Sequence, residues 1–259
     1  MKSIVGLACL LALHAARAEV TEEVVSLPSA GDAKLPVLFS HDDAREPFAA
    51  AVLFNGGGGA VGLLTRIPRP GANFLVRSRS RFVAEGVATA VIDVPTDLSS
   101  MSDGYRMGRR HADDVARVLD ELERRFPGKP VFLVGTSRGT VSAAYAGAAL
   151  GERVAGVVLT STVFNRGPGG NGVMGFDWNG LKHLLFVHHV DDACAATPYG
   201  MARHLSGPSR PLVSVHGGDV PRSEPCEAFS AHGYLGVEGP AVHAIVQWMH
   251  GEPPPADVP

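Results

Sequence analysis

Apolar and polar positions along this chain switch repeatedly between two patterns, and the switches predict its elements. Val20 to Leu27 and Leu35 to Phe39 read as opening strands, and Ala49 to Asn55 as a strand ending in a glycine run. Phe74 to Glu85 reads as a helix stopped by Gly86, and Val87 to Val94 as another apolar strand. From Arg106 to Phe126, Val115, Val118, Leu119, Leu122 and Phe126 recur at helical spacing until Pro127-Gly128 ends the run. Val131 to Val134 is a short buried-strand run, followed by an Ala-rich helical stretch from Thr140 to Leu150. Strand signals return at Val154 to Leu159, Leu184 to Val190 and Leu212 to His216, and a final helix is expected from Glu238 to Met249. Strands alternating with helices predict an α/β fold: a mostly parallel central sheet with helices on both faces.

The two ends change this picture. Lys2, the apolar run Ile4 to Leu13 and the small-x-small site Ala16-Arg17-Ala18 have the form of a secretory signal over residues 1–18. The run is too short to span a bilayer. Cys9 follows Gly6-Leu7-Ala8, a poor lipobox, which argues against a lipid anchor. Cleavage after Ala18 would remove two basic residues and no acid, taking the net charge from −3 to −5. The expected home is the periplasm or the exterior of the cell. At the other end, Pro253-Pro254-Pro255 makes residues 252–259 a Pro-rich tail expected to fray, leaving one domain over 19–251. No interdomain linker or repeat interrupts it. A negative charge without a basic run gives no case for nucleic acid as a partner.

Gly135-Thr136-Ser137-Arg138-Gly139 carries the chemistry. It reads G-x-S-x-G between a strand and a helix, where the serine must occupy a sharp, strained turn. Glycines two positions either side are then required, because a Cβ would meet neighbouring backbone. The helix N-terminus beneath favours developing negative charge. Ser137 is thus a candidate nucleophile.

With the elbow after the fifth strand, the chain resembles the α/β-hydrolase family over nearly its whole expected domain. The resemblance implies a triad in the order Ser, acid, His. The acid should follow a late strand, where Val187-His188-His189-Val190-Asp191-Asp192 stands. Counting from a small residue in the family pattern selects Asp192, although His189 replaces the usual glycine; Asp191 is the alternative. The histidine should precede the last helix, which selects His232. His216 and His243 fit structural positions better. The family also binds the oxyanion with backbone N–H groups from the residue after the nucleophile and from the loop after the third strand. Here these would be Arg138 and Gly57 or Gly58, with Asn55 where lipase-like relatives often carry His.

Competing chemistries are weaker. Gly57 to Gly62 satisfies G-x-G-x-x-G, but Pro68 and Pro70 follow closely and no acid stands near twenty positions on, so no nucleotide cofactor is expected. His188-His189 does not suggest a metal, since adjacent strand residues point to opposite faces. The expected activity is therefore hydrolysis of a small-molecule ester through a covalent acyl-enzyme, as a carboxylesterase; a peptidase or amidase on the same fold is the alternative, and a non-catalytic binding module a remote one. Because the histidine must be neutral to act as base, activity should fall on acidification. The segment Asn165 to Gly180, with Met174, Phe176 and Trp178, is expected as a wall of the acyl pocket, and Arg138 is a further candidate for reaching an anionic substrate group. Losing Cys9 leaves Cys194 and Cys226, an even pair in an exported chain. If the implied triad forms, its acid and histidine loops meet and bring the two together as a disulfide.

Overall fold

A computed structural model describes residues 20–65, 73–165, 172–181 and 183–259. The expected leader with Cys9 and the prolines at 68 and 70 lie outside these. Nine strands form one sheet: β1 (Val20–Pro28), β2 (Lys34–Asp42), β3 (Ala49–Phe54), β4 (Val87–Ile92), β5 (Val131–Thr136), β6 (Gly156–Thr160), β7 (Leu184–His189), β8 (Leu212–Val215) and β9 (Asp257–Val258). Their spatial order is β1-β2-β4-β3-β5-β6-β7-β8-β9. The pairs β1–β2 and β2–β4 are antiparallel, and every later pair is parallel. The helices are α1 (Phe74–Ala84), α2 (Asp103–Arg106), α3 (Arg109–Arg125), α4 (Gly139–Leu150), α5 (Tyr199–Leu205) and α6 (Glu238–Met249).

Strands β3 to β7 are buried at every position, which is why they read as unbroken apolar runs rather than alternating ones. Alternate residues feed two cores. Val52, Phe54, Leu133 and Phe186 pack with α3 and α4 on one face; Leu53, Val91, Val134 and Val187 pack with α1 and α6 on the other. Because β3 to β8 run parallel, all their C-terminal ends open on the same edge, where a ligand crevice forms in sheets of this kind.

Two expectations are corrected. The helix expected from Arg106 to Phe126 is two, broken at Met107-Gly108. Gly108 is extended at the start of α3, and a Cβ there would stand 3.0 Å from the Gly104 carbonyl. The Pro-rich tail does not fray. Past the prolines, which cannot donate to a ladder, Asp257 and Val258 pair with Ser214 and Val215 as edge strand β9. Asp257 Oδ1 also meets His216 Nε2 at 2.9 Å, giving that histidine its structural role.

Candidate active site

Ser137 stands between β5 and α4 with φ +52°, a conformation that costs a non-glycine residue on the order of 1–3 kcal/mol. Its flanking glycines are steric necessities. A Cβ on Gly135 would lie 2.4 Å from the Gly139 carbonyl oxygen, and one on Gly139 would lie 2.1 Å from that of Phe54. The Ser137 N–H donates to the Thr160 carbonyl at 3.0 Å, tying the turn to the end of β6.

Asp192 follows β7, and His232 occupies a 3-10 turn, Ala231–Gly233, before α6. His232 Nδ1 lies 3.0 Å from Asp192 Oδ2, and both side chains are almost wholly buried. Asp192 Oδ1 accepts from the Cys194 N–H at 2.9 Å, and Thr197 Oγ1 donates to Oδ2 at 2.8 Å. Asp191 is exposed, and its N–H caps His189 Nδ1 at 3.1 Å. The structure brings Asp192, not Asp191, to the imidazole.

In the tautomer whose Nδ1 donates to the carboxylate, His232 Nε2 is an acceptor; it is buried with no hydrogen-bond partner among the described residues. His232 and Ser137 line the same cavity, about 620 Å³ in volume. No Ser137 Oγ to Nε2 hydrogen bond is formed, a contact that commonly tightens only when substrate arrives.

Several supports of the histidine turn escaped the sequence reading. Ser161 and Tyr234, the other two non-glycine residues at positive φ among the described residues, meet each other beneath it. Ser161 Oγ donates to the His232 carbonyl at 2.8 Å, and Tyr234 Oη donates to the Val187 carbonyl at 2.6 Å. Arg77 of α1 donates to the Gly233 carbonyl and pairs with Glu238 at 2.9 Å. Cys194 and Cys226 form a disulfide that joins the acid loop to the histidine loop, with Cα atoms 4.7 Å apart.

The glycine loop after β3 forms the opposite wall. Gly56, passed over in the sequence, abuts the nucleophile: a Cβ there would be 2.9 Å from Ser137 Cβ. Gly57 and Gly58 also line the cavity. The N–H groups of Gly56, Gly57 and Gly58 have no partner among the described residues. No helix opens at Gly62. The amides of Val61, Gly62 and Leu63 instead hold the Asp93 carboxylate at 2.7–2.8 Å, which occupies the donors a nucleotide phosphate would need.

Arg138, a candidate for an anionic substrate group, pairs with Asp103 at 2.6 Å, and Asp103 Oδ2 also accepts from the Gly172 N–H at 3.3 Å. The expected aromatic wall is corrected. Trp178 packs on Phe186 and Phe176 on Tyr145, while Met174 is exposed. Of the described part of that segment, only Gly172 reaches the cavity. His188 and His189 also part company: His188 Nε2 accepts from the Thr162 N–H at 2.9 Å, and His189 Nε2 meets the Gly217 carbonyl at 3.0 Å.

The sequence model of one family, described as "Serine aminopeptidase, S33", matches residues 99–186. No curated protein sequence gives a significant match. Among solved structures, an α/β serine hydrolase homologue from Coxiella burnetii superposes with TM-score 0.59 at 14% identity, over 88% of this chain and 97% of that one. An α/β serine hydrolase without lid from Xanthomonas campestris gives 0.58 at 16%, over 88% and 94%. A cold-adapted esterase from an Arctic intertidal metagenomic library gives 0.54 at 18%, over 76% and 85%. The chain has the α/β-hydrolase fold, and its likenesses run to serine hydrolases and esterases.

Proposed function

We propose that the protein is a serine hydrolase that cleaves carboxylic esters through a covalent acyl-enzyme. The observation that carries this reading is the buried His232, held by Asp192 at 3.0 Å and sharing a cavity with the strained Ser137. Ser137 Oγ attacks the ester carbonyl and its proton passes to Nε2, while Asp192 orients the ring and stabilises the imidazolium. The tetrahedral oxyanion accepts hydrogen bonds from the Arg138 N–H and from the glycine loop, each worth on the order of 3 kcal/mol of barrier in comparable sites. The loop donors are sought among Gly56, Gly57 and Gly58, and the contact with Ser137 favours Gly56. Nε2 then returns the proton to the departing alkoxide. A water molecule, deprotonated in turn by His232, releases the acid and frees Ser137.

The family match to a serine aminopeptidase supports an amide-cleaving alternative with the same residues. A panel of p-nitrophenyl esters and peptide p-nitroanilides separates the two. Esters of short acids are expected to be turned over, and Ser137→Ala to reduce that turnover by at least about a thousandfold in a folded protein. Wild-type turnover by the variant would overturn the reading. We also propose that the chain is exported and cleaved after Ala18, a reading the disulfide supports. N-terminal sequencing of the mature protein should then begin at Glu19.

A further inference from the structure

Arg106, the last residue of α2, is about 1% exposed. The four hydrogen bonds of its guanidinium among the described residues all go to neutral oxygens: Ser142 Oγ at 2.7 Å and the carbonyls of Gly57, Met101 and Asn55 at 3.2, 3.4 and 3.5 Å. The nearby Asp103 is engaged by Arg138. Burying a guanidinium without its own carboxylate is costly, and apolar packing would serve stability better. Burial and the charge of Arg138 lower its pKa to about 10, so it remains a cation at neutral pH.

What this cation does follows from the glycine loop. Four successive carbonyls are taken by protein donors: Asn55 and Gly57 by Arg106, Gly56 by the Gly59 N–H at 3.0 Å, and Gly58 by the Met101 N–H at 2.8 Å. The N–H groups of Gly56, Gly57 and Gly58 are left without partners among the described residues. No peptide bond among the described residues is cis, and in a trans peptide the carbonyl and the next N–H point in opposite directions. Holding the Asn55 and Gly57 carbonyls therefore turns the Gly56 and Gly58 amides away from the guanidinium. The same guanidinium is anchored on Ser142 in α4, the helix that opens just after Ser137.

We infer that Arg106 is a positioning residue for oxyanion binding: it clamps the glycine-loop carbonyls to the nucleophile helix and so aims the Gly56 and Gly58 amides at the cavity beside Ser137. A charged donor on each carbonyl also polarises the shared peptide and strengthens its N–H as a donor. Without the clamp, either peptide is free to turn over and present a carbonyl oxygen where the oxyanion must form. Lysine keeps the charge but not the planar fork that reaches several oxygens at once. The catalytic part of this inference rests on the proposed function; the clamp itself does not.

The test compares wild type with Arg106→Lys and Arg106→Met in two measurements. Amide hydrogen exchange of loop 55–59 is expected to quicken in both variants while β5 and α4 stay protected; unchanged loop exchange overturns the clamp, whatever the enzyme does. Steady-state hydrolysis of p-nitrophenyl acetate, normalised to the folded fraction, is expected to lose about 10- to 100-fold in kcat with KM nearly constant. Affinity for a trifluoromethyl ketone, which forms an oxyanion on Ser137, should fall in parallel, and affinity for the non-adding methyl ketone should not. A lowered melting temperature with unchanged kcat, or a loss confined to KM, overturns the assignment. If both variants fail to fold, Ser142→Ala replaces them. It removes one anchor and is expected to give the same exchange signature with a kcat loss of about threefold; an unchanged loop and kcat overturns the inference there.

Discussion

The two walls of the cavity are built by different means. On the acid–histidine side, two loops are joined covalently by Cys194–Cys226, and side chains do the rest: Thr197 on Asp192, Arg77 on the Gly233 carbonyl, Ser161 and Tyr234 beneath the His232 turn. On the glycine side no covalent link exists among the described residues. The backbone is held by Arg106, by the Met101 N–H and, further along, by the Asp93 carboxylate. The difference follows from what each side must keep fixed. A base needs its ring held against rotation, which a side-chain partner does well. An oxyanion donor needs a peptide plane held against turning over, and a bond to the opposite carbonyl achieves that.

The comparison breaks first on the acid–histidine side. His232→Ala is expected to lower kcat for p-nitrophenyl acetate by at least about a thousandfold, and Asp192→Asn by about as much, with melting temperature changed far less. Asp191→Asn should leave kcat within about twofold, since it touches neither group. Equal losses from both aspartates would remove Asp192 from its assigned role.

Cys226→Ser opens the covalent fastening. In the chain-entropy model, a bridge across 32 residues stabilises by about 3–4 kcal/mol. Chemical denaturation should show a loss of that order, with kcat falling less than tenfold. Hydrogen exchange should quicken around Asp192 and His232 and leave loop 55–59 as it was. Loosening of both walls together would mean they are not held independently. A smaller effect is expected from Thr197→Val, which removes one donor from Asp192: kcat should fall about three- to tenfold with KM unchanged.

A separate comparison, of stability against pH, concerns one buried histidine on each wall. Burial pushes His111, beneath the glycine side, and His188, beside the acid, down to about 3. Both are neutral when folded, whereas in the unfolded chain they protonate near the ordinary histidine value. Their contribution to stability is complete above about pH 6.5 and is lost as pH falls toward 3, at roughly 1.4 kcal/mol per pH unit for each. The His111 imidazole has no hydrogen-bond partner among the described residues and packs on Phe54 and Tyr105. His111→Phe should therefore reduce the slope of unfolding free energy between pH 6 and 4 by about that amount, measured by urea denaturation. An unchanged slope would place the acid sensitivity elsewhere.

This division also explains what the sequence disclosed. The elbow was legible because its glycines answer a local collision, written within five residues. The buried strands were legible from apolar runs, and the cysteine pair from its positions beside the implied acid and histidine. Arg106 was not, because a buried cation at the edge of a helical pattern looks like any polar residue, and its partners in the glycine loop lie about fifty positions away. Ser161 and Tyr234 were hidden for a related reason: they hold positive φ by mutual contact, without the glycine that would announce it. Gly56 was missed among four equivalent glycines, since only the approach of Ser137 distinguishes it. The β9 pairing was obscured by the prolines before it, and the aromatic residues at 176 and 178 turn to the core, Phe176 within it and Trp178 against it, because Tyr145 and Phe186 lie within their reach.

The central claim is that Ser137 is a nucleophile activated by His232. Intact-mass measurement after incubation with a fluorophosphonate tests it most directly. The account predicts one adduct on the wild-type protein, none on folded Ser137→Ala, and labelling of His232→Ala slowed by at least about a hundredfold. An unlabelled wild type, or an adduct that persists on Ser137→Ala, would contradict it.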